Sequence, residues 1–526
     1  MHEVELVLIS LLLAVAVFGA AARVIGVPYP IVLVIGGLLL GFVPGLPHVE
    51  LAPDLVLVIF LPPLLYAAAF FANLRDLREN LRVISLLAIV LVLFTMTVVA
   101  VVAREVIPGM SWAVAFTLGA IVAPTDPIAA TTIARRLGVP RRIVTVLEGE
   151  GLLNDGTALV AYKVAIGAVG GTFSATHAGW EFLAGAFGGI AIGLAAGWII
   201  IQIRKRLDDV VIETTISLLS GYAGYVPAER LGCSGVLAAV TTGIYVGFRA
   251  PDISSARQRL SGYALWDVLQ FLLNALLFVL IGLQLPTILD GISGYSTGAL
   301  IGQAAAISGA VIVSRVIWSN TTVFIIRALD RREVQRARRV GWRERMISAW
   351  SGMRGAVSLA AALALTPGFP FRDLILFLTF AVIFVTLVVQ GLTLPILIRK
   401  LDIHDDGAEQ REELLGRRRA TDAALIRLDE LAMQEWTRDD TLDRMRGLYD
   451  YRRRRLAARA GEADDDDEID SDGYERRSYR YQKMVREVIA AQHSAIVELR
   501  NRGEISNEVM HRLEREMDLE RERLEI

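Results

Sequence analysis

Residues 148–160 read Glu-Gly-Glu-Gly-Leu-Leu-Asn-Asp-Gly-Thr-Ala-Leu-Val and place Asn154 and Asp155 inside a stretch that is otherwise apolar. A second acid, Asp126, lies within Ala-Pro-Thr-Asp-Pro at 123–127, in the preceding hydrophobic segment. A carboxylate is costly in hydrocarbon, and an acid found there usually serves the passage of ions or protons. The two segments therefore predict a site for a cation and a proton within a membrane.

Composition and charge place the chain among membrane proteins. Of its 526 residues 54% are hydrophobic, and its apolar runs are long enough to span a bilayer. The net charge is −2, but the charged residues are unevenly distributed: they are sparse before residue 400 and dense after it. The sequence therefore predicts an all-α membrane protein with two parts. Residues 1–400 are predicted to form a transmembrane domain, to which the acids at 126 and 155 assign cation/proton exchange, and residues 401–526 are predicted to form a charged, mostly helical cytosolic tail.

Hydrophobic stretches of membrane-spanning length recur about 13 times. The single cysteine, Cys233, excludes an internal disulfide. The N-terminus lacks the positive region of a signal peptide, so the first stretch is predicted to be a retained span. The predicted spans are 4–25, 29–46, 51–73, 82–103, 110–134, 143–170, 178–203, 210–227, 232–249, 263–285, 294–326, 346–366 and 374–398.

Arginine and lysine collect in every second loop, which predicts the orientation of the chain. Cytosolic loops carry the excess of these residues, so the N-terminus is predicted outside and the C-terminus in the cytosol of a multi-pass protein of the cell membrane. The loops rich in basic residues contain Arg75, Arg78 and Arg82; Arg135, Arg136, Arg141 and Arg142; Arg204, Lys205 and Arg206; Arg249, Arg257 and Arg259; and eight arginines from Arg327 to Arg345.

Two spans are interrupted in a similar way. The fifth is broken at 123–127, and the twelfth at Ser-Gly-Met-Arg-Gly, residues 351–355. Interrupted helices in corresponding positions of two halves indicate a site near the middle of the membrane. We expect two inverted six-helix repeats whose broken helices cross at the site. The alternative is that proline and glycine are simply common in membrane helices.

Asp155 is the best candidate to carry the ion or the proton. It has no basic residue within one helical turn in the sequence. Burial disfavours a charged carboxylate, so this group can hold either a proton or a small cation but not both well. The structural alternative is an aspartate that caps a helix break or pairs with Lys163.

Three neighbours complete the predicted site. Asp126 could be a second ligand, a cap for the helix that starts at Pro127, or both. Thr125 offers a hydroxyl and a carbonyl, and Asn154 offers an amide oxygen. Hard cations prefer such oxygen ligands, so a transported Na⁺ is predicted at Asp155, Asp126 and Thr125.

Glu150 and Arg354 are predicted to form a structural ion pair. Glu150 lies more than one turn from Asp155, and Arg354 lies at the second helix break. Either charge would be expensive in the membrane without a partner. Glu148, Asp267 and Arg315 are expected to face a cavity or to form further pairs.

Four motifs in this order resemble the sodium/proton antiporters of the NhaP/NHE branch of the monovalent cation:proton antiporters. They are Glu-Gly-Leu-Leu-Asn-Asp at 150–155, Thr-Asp-Pro at 125–127, Leu-Pro-Pro at 61–63 and Gly-Met-Arg-Gly at 352–355. The resemblance covers residues 1–400. It implies a 13-helix, inverted-repeat homodimer in the lipid bilayer that exchanges Na⁺ for H⁺ by an elevator-like movement, with Li⁺ or K⁺ as further candidate ions.

The resemblance also assigns roles to individual residues. It implies that Asp155 carries the ion and proton, that Asn154, Asp126 and Thr125 occupy the other site positions, and that Glu150 and Arg354 form the family's ion pair. Two departures bear on ion affinity. Some relatives carry an acid where this chain has Ala67, and many have a serine where it has Gly151.

Other function classes fit the residues less well. An intramembrane enzyme would want a histidine-based metal site, but all six histidines fall in loops, ends or the tail. A cation channel is the second alternative, but channels use rings of carbonyls or repeated filters rather than acids at broken helices. No cofactor, enzymatic activity or nucleic-acid partner is expected. The tail is expected to form amphipathic helices that pack together or pair across a dimer.

Overall fold

The computed structural model describes residues 2–44, 56–171, 175–329, 341–405, 407–460 and 471–525. The chain divides into two compact units, Met1–Asp406 and Gly407–Ile526. Most of the predicted basic loop from Arg327 to Arg345 and the first residues of the predicted third span lie outside the described residues.

Helices make up the first unit. Within the described ranges, three short π-helical segments continue directly into α-helices: Val56–Phe60, Leu86–Leu91 and Thr386–Gln390. The α-helices are α1 (His2–Ile25), α2 (Tyr29–Gly41), α3 (Leu61–Phe70), α4 (Leu74–Ser85), α5 (Val92–Val106), α6 (Trp112–Val122), α7 (Pro127–Arg136), α8 (Arg141–Val169), α9 (Ala175–Arg204), α10 (Val210–Arg230), α11 (Gly235–Ile253), α12 (Ala256–Leu283), α13 (Leu285–Gly291), α14 (Thr297–Leu329), α15 (Trp342–Trp350), α16 (Ala356–Leu363), α17 (Arg372–Val385) and α18 (Gly391–Lys400).

The predicted all-α membrane fold is confirmed. Each of the predicted spans overlaps helical structure in the described ranges. By length and composition, seven of the described helical stretches can cross a membrane, and shorter apolar helices lie at 9–25, 29–41 and 58–70. The number of crossings and the inverted repeat stay predictions.

The predicted loop at 74–81 is helical throughout. The basic residues from Arg75 to Arg82 lie in α4, which runs through a π-helical segment into α5 as one stretch, Leu74–Val106. Asn73 starts this helix, because its side chain accepts hydrogen bonds from the N–H groups of Arg75 and Asp76 at 3.0 and 3.4 Å. The prediction placed the start at residue 82 because α4 is charged on one face.

Both predicted helix breaks are present, and they touch. Residues 123–126 separate α6 from α7, and residues 351–355 separate α15 from α16. The N–H of Asp126 donates to the carbonyl of Met353 at 2.8 Å. A backbone donor of one break thus forms a hydrogen bond with a backbone acceptor of the other. An apolar core of residues from α5 to α8, α12 and α14 to α17 surrounds this crossing.

The described residues of the second unit form four helices: α19 (Ala408–Leu431), α20 (Asp439–Arg459), α21 (Ser471–Asn501) and α22 (Asn507–Glu525). They pack in sequential pairs, as expected for amphipathic helices. Arg446 of α20 pairs with Asp429 of α19 at 2.5 Å. Glu514 of α22 bonds to His511, which lowers the pKa of its carboxyl, and also to His493 of α21 at 3.2 Å.

Candidate ion-binding site

Asp126 sits at the crossing of the two broken helices and caps α7. Its Oδ1 accepts a hydrogen bond from the N–H of Ile128 at 2.9 Å, which confirms the predicted capping role. Gly355 of the second break faces the same carboxylate so closely that a Cβ there would lie 2.1 Å from Oδ2. A side chain at 355 would therefore displace Asp126 or separate the two breaks.

Asp155 lies midway along α8 and is only 9% exposed. It lines a cavity of about 650 Å³ together with Asp126 and Thr125. Within the described ranges its carboxylate makes no ion pair and accepts no side-chain hydrogen bond. Lys163, the partner considered from the sequence, instead pairs with Glu229 at 3.2 Å. The structure therefore leaves Asp155 as a buried acid facing the cavity.

Thr125 and Asn154 are held by a buried chain of hydrogen bonds. The Asn154 Nδ2 group donates to the carbonyl and the hydroxyl of Thr125 at 2.9 and 2.8 Å. The Thr125 hydroxyl in turn donates to Oε1 of Glu150 at 2.9 Å. Oδ1 of Asn154 is buried and accepts no hydrogen bond from any described residue. These hydrogen bonds fix the break beside Asp126 and leave the amide oxygen of Asn154 without a donor among the described residues.

The predicted ion pair between Glu150 and Arg354 is wrong in its partner. Arg315 of α14 makes the pair, with its Nη2 at 2.8 Å from Oε2 of Glu150 and its Nη1 bonded to Oε1. Both side chains are 2% exposed. Arg315 passes directly over Gly352, where a Cβ would lie 2.3 Å from its Cδ. The gap at Gly352 therefore lets Arg315 reach the carboxylate.

The side chain of Arg354 instead donates hydrogen bonds to backbone carbonyls at the two breaks. Its Nε donates to the carbonyl of Val122, the last residue of α6, at 3.1 Å, and its Nη1 donates to the carbonyl of Gly352. Carbonyls at a helix C-terminus lack intrahelical partners and carry partial negative charge, which a buried guanidinium can satisfy. The N–H of Arg354 donates to the hydroxyl of Thr386 at 3.0 Å, which ties the break to a π-helical segment.

Arg315 is the site residue whose role the sequence did not fix. The signal was present, because a lone arginine within an apolar span needs a buried acid. Two arginines competed for Glu150, however, and their positions in the chain do not show which side chain reaches it.

The structure gives a local reason for one of the two departures at the site and locates the other. A Cβ at Gly151 would lie 2.5 Å from Cδ and Cγ of Pro127, so the absent serine matches the close packing of α8 against the start of α7. Ala67 is fully buried and lines the same cavity as Asp155. At position 67 this chain therefore has a methyl group at the cavity where some relatives have an acid.

Exposed charged residues line part of the cavity and mark its mouth. Arg135 and Glu148 line it and pair at 2.6 Å, with their side chains 63% and 36% exposed. Asp267 of α12 also lines it and is exposed. This mouth connects the buried acids to the exterior of the unit, beside the loop between α7 and α8.

Comparisons with known proteins give matches over most of the chain. Residues 9–400 match the sodium/hydrogen exchanger transmembrane family. An uncharacterized Na⁺/H⁺ exchanger of Mycobacterium tuberculosis H37Rv is 36% identical over 98% of this chain and 95% of its own length. The Na⁺/H⁺ antiporter ApNhaP of Aphanothece halophytica is 35% identical over 77% of this chain and 75% of its own.

A solved structure supports the fold independently. The sodium proton antiporter MjNhaP1 of Methanocaldococcus jannaschii, determined at pH 8, superposes with a TM-score of 0.58 and 20% identity, over 74% of this chain and 99% of its own. The likeness to this structure concerns the fold. The family match over residues 9–400 and the relatives at 36% and 35% identity show that the chain belongs to the sodium/hydrogen exchanger family.

Proposed function

We propose that the protein is a secondary active antiporter that exchanges Na⁺ for H⁺ across the cell membrane at Asp155. The observation that carries this proposal is a buried carboxylate without a basic partner that faces a cavity open to the exterior. Such an acid must be neutralised by a proton or a cation, because an unpaired buried charge is costly. The two ligands compete for one group, and that competition couples their movements.

The proposed Na⁺ ligands are the carboxylates of Asp155 and Asp126 and the carbonyl oxygen of Thr125. All three residues line the same cavity. The Asn154 side chain orients the Thr125 carbonyl, which keeps a second lone pair for an ion. Oδ1 of Asn154, the residue next to Asp155 in the chain, is a further acceptor without a donor among the described residues. A hard cation favours this set of oxygens.

The proposed orientation puts the cavity mouth on the cytosolic side. Arg135 lines the mouth and belongs to a basic loop that the charge pattern assigns to the cytosol. In this state Asp155 would exchange ions with the cytosol. The N-terminus outside, the C-terminus in the cytosol and assembly as a homodimer in the lipid bilayer stay predictions.

Purified protein in liposomes should give Na⁺-driven proton movement. We expect addition of Na⁺ outside acid-loaded vesicles to dequench a pH-sensitive dye, because each bound Na⁺ displaces a proton from Asp155. The same measurement with Li⁺ and K⁺ determines the selectivity, for which both are candidates. Empty liposomes are the control. Cation flux without obligatory proton counterflow would contradict exchange and favour the alternative, a cation channel.

Transport is expected to be electroneutral, with one proton exchanged for one Na⁺. Asn154 cannot carry a proton, Ala67 replaces the acid of some relatives, and Asp126 is engaged as a helix cap. We therefore expect Asp126 to keep the same protonation state throughout the cycle, which leaves Asp155 as the carrier of the exchanged proton.

The stoichiometry is measured in liposomes whose membrane potential is clamped by valinomycin and potassium, with a Na⁺-selective signal if K⁺ is also carried. A set potential should leave the equilibrium Na⁺ distribution unchanged. A distribution that follows the potential would show net charge movement and would mean that Asp126 adds a second proton.

A further inference from the structure

A stripe of polar residues on α12 runs along the cavity wall that faces Asp155. Asp267, Gln270 and Asn274 all line the cavity. They are spaced i, i+3 and i+7, so they share one face of the helix. Their burial increases along the helix: Asp267 is exposed, Gln270 is half-buried and Asn274 is 7% exposed. The stripe therefore leads from the mouth inward over about 10 Å.

The stripe ends where the wall becomes apolar. One turn beyond Asn274 the same face carries Leu277 and Phe278, which are buried and also line the cavity. Polar side chains thus occupy the outer part of this wall, and apolar side chains close its inner end. This order is expected for a path that lets a hydrated ion in but does not continue through the protein.

Asn274 has an unused acceptor. Its Oδ1 is buried and receives no hydrogen bond from any described residue. A buried amide oxygen without a donor is costly, so it is expected to meet a ligand that the protein itself does not supply. A cation that sheds part of its water shell is such a ligand, because amide oxygens suit hard cations.

Asp267 gives the mouth its negative charge. The other two charges there, Arg135 and Glu148, neutralise each other in an ion pair. In the described part of the chain Asp267 makes no ion pair, so its charge is not cancelled by contact. An acid at the opening of a cleft raises the local concentration of cations.

We propose that Asp267, Gln270 and Asn274 form the access path for the cation, in which Asp267 concentrates Na⁺ at the mouth and Asn274 is a transient ligand on the way to Asp155. This inference rests on the proposed Na⁺/H⁺ exchange. The residues of α12 are expected to affect the KM for Na⁺, whereas Asp155 binds the exchanged proton and cation.

The test compares the KM for Na⁺ with the maximal rate of exchange in liposomes. At low ionic strength Asp267→Asn should raise the KM about two- to fivefold and leave the maximal rate unchanged. The increase should vanish when choline chloride screens the mouth, and Asp267→Glu should retain the low KM. The matched control is Asp208→Asn, which removes an exposed aspartate that does not line the cavity.

Asn274→Leu removes the amide oxygen and keeps the branched arrangement of the side-chain heavy atoms. It should raise the KM roughly three- to tenfold with a smaller change in the maximal rate. Asn274→Gln keeps an amide and should raise the KM less than Asn274→Leu does. A role in packing alone would instead lower the melting temperature in detergent and leave the KM unchanged.

The outcomes separate this inference from the proposed function. If the wild-type protein moves no protons in response to Na⁺, the proposed exchange fails. If it does, and Asp267→Asn has the same KM as Asp208→Asn at low ionic strength, the access path is wrong whatever the Asn274 variants show. An unchanged KM in folded Asn274→Leu would equally overturn the role of that residue.

Discussion

Asp155→Asn should reduce Na⁺-driven proton movement to the level of empty liposomes. The substitution keeps the size and shape of the side chain but removes the group that binds both the proton and the cation. Asp155 is the buried acid at the cavity without a capping or pairing role, and Asp126 is engaged at the start of α7. The measurement is dequenching of the pH dye with Na⁺, Li⁺ and K⁺ in turn.

The variant should fold, which makes the loss of exchange interpretable. A neutral amide is cheaper to bury than a carboxylate, so the melting temperature in detergent should equal or exceed that of the wild type. Asp208→Asn is the control for a charge removed elsewhere. Exchange at the wild-type rate by folded Asp155→Asn would refute the assignment of the carrier.

Much of the fold could be predicted from the sequence because its signals are local. The apolar runs gave the helices, and Ala-Pro-Thr-Asp-Pro and Ser-Gly-Met-Arg-Gly gave the two breaks. The start of α4 at Leu74 was missed, because a charged amphipathic helix resembles a loop when only hydrophobicity is followed. The contact between the breaks was expected from the repeat, but its hydrogen bond from Asp126 to Met353 depends on the packed structure.

The site was predictable in its residues but not in its pairings. Asp155, Asp126 and Thr125 were found because acids and breaks are rare in apolar spans, and the structure brings them to one cavity. The partner of Glu150 could not be predicted, because Arg315 and Arg354 carry the same charge and both lie within apolar spans. The choice depends on the space over Gly352, a property of three-dimensional packing. The stripe on α12 likewise becomes visible only when its face is known to border the cavity.

Arg315→Gln should destabilise the protein more than any other single change at the crossing, because it leaves Glu150 charged and buried without its partner. Breaking a buried ion pair from one side typically costs about 3–5 kcal/mol. The result should be a lower melting temperature in detergent and a lower yield of folded protein. The same loss of stability is expected for Glu150→Gln, because it leaves the guanidinium of Arg315 buried without its acid.

A double-mutant cycle distinguishes the two arginines. In Glu150→Gln with Arg315→Gln both charges are gone, so the double variant should recover part of the stability, with a coupling of about 1–3 kcal/mol. The matched cycle with Arg354→Gln should show weaker coupling, because Arg354 donates to the carbonyls of Val122 and Gly352 and would lose these bonds whether or not Glu150 is charged. Stronger coupling of Glu150 to Arg354 than to Arg315 would restore the pair expected from the sequence and would place Arg315 in a backbone role.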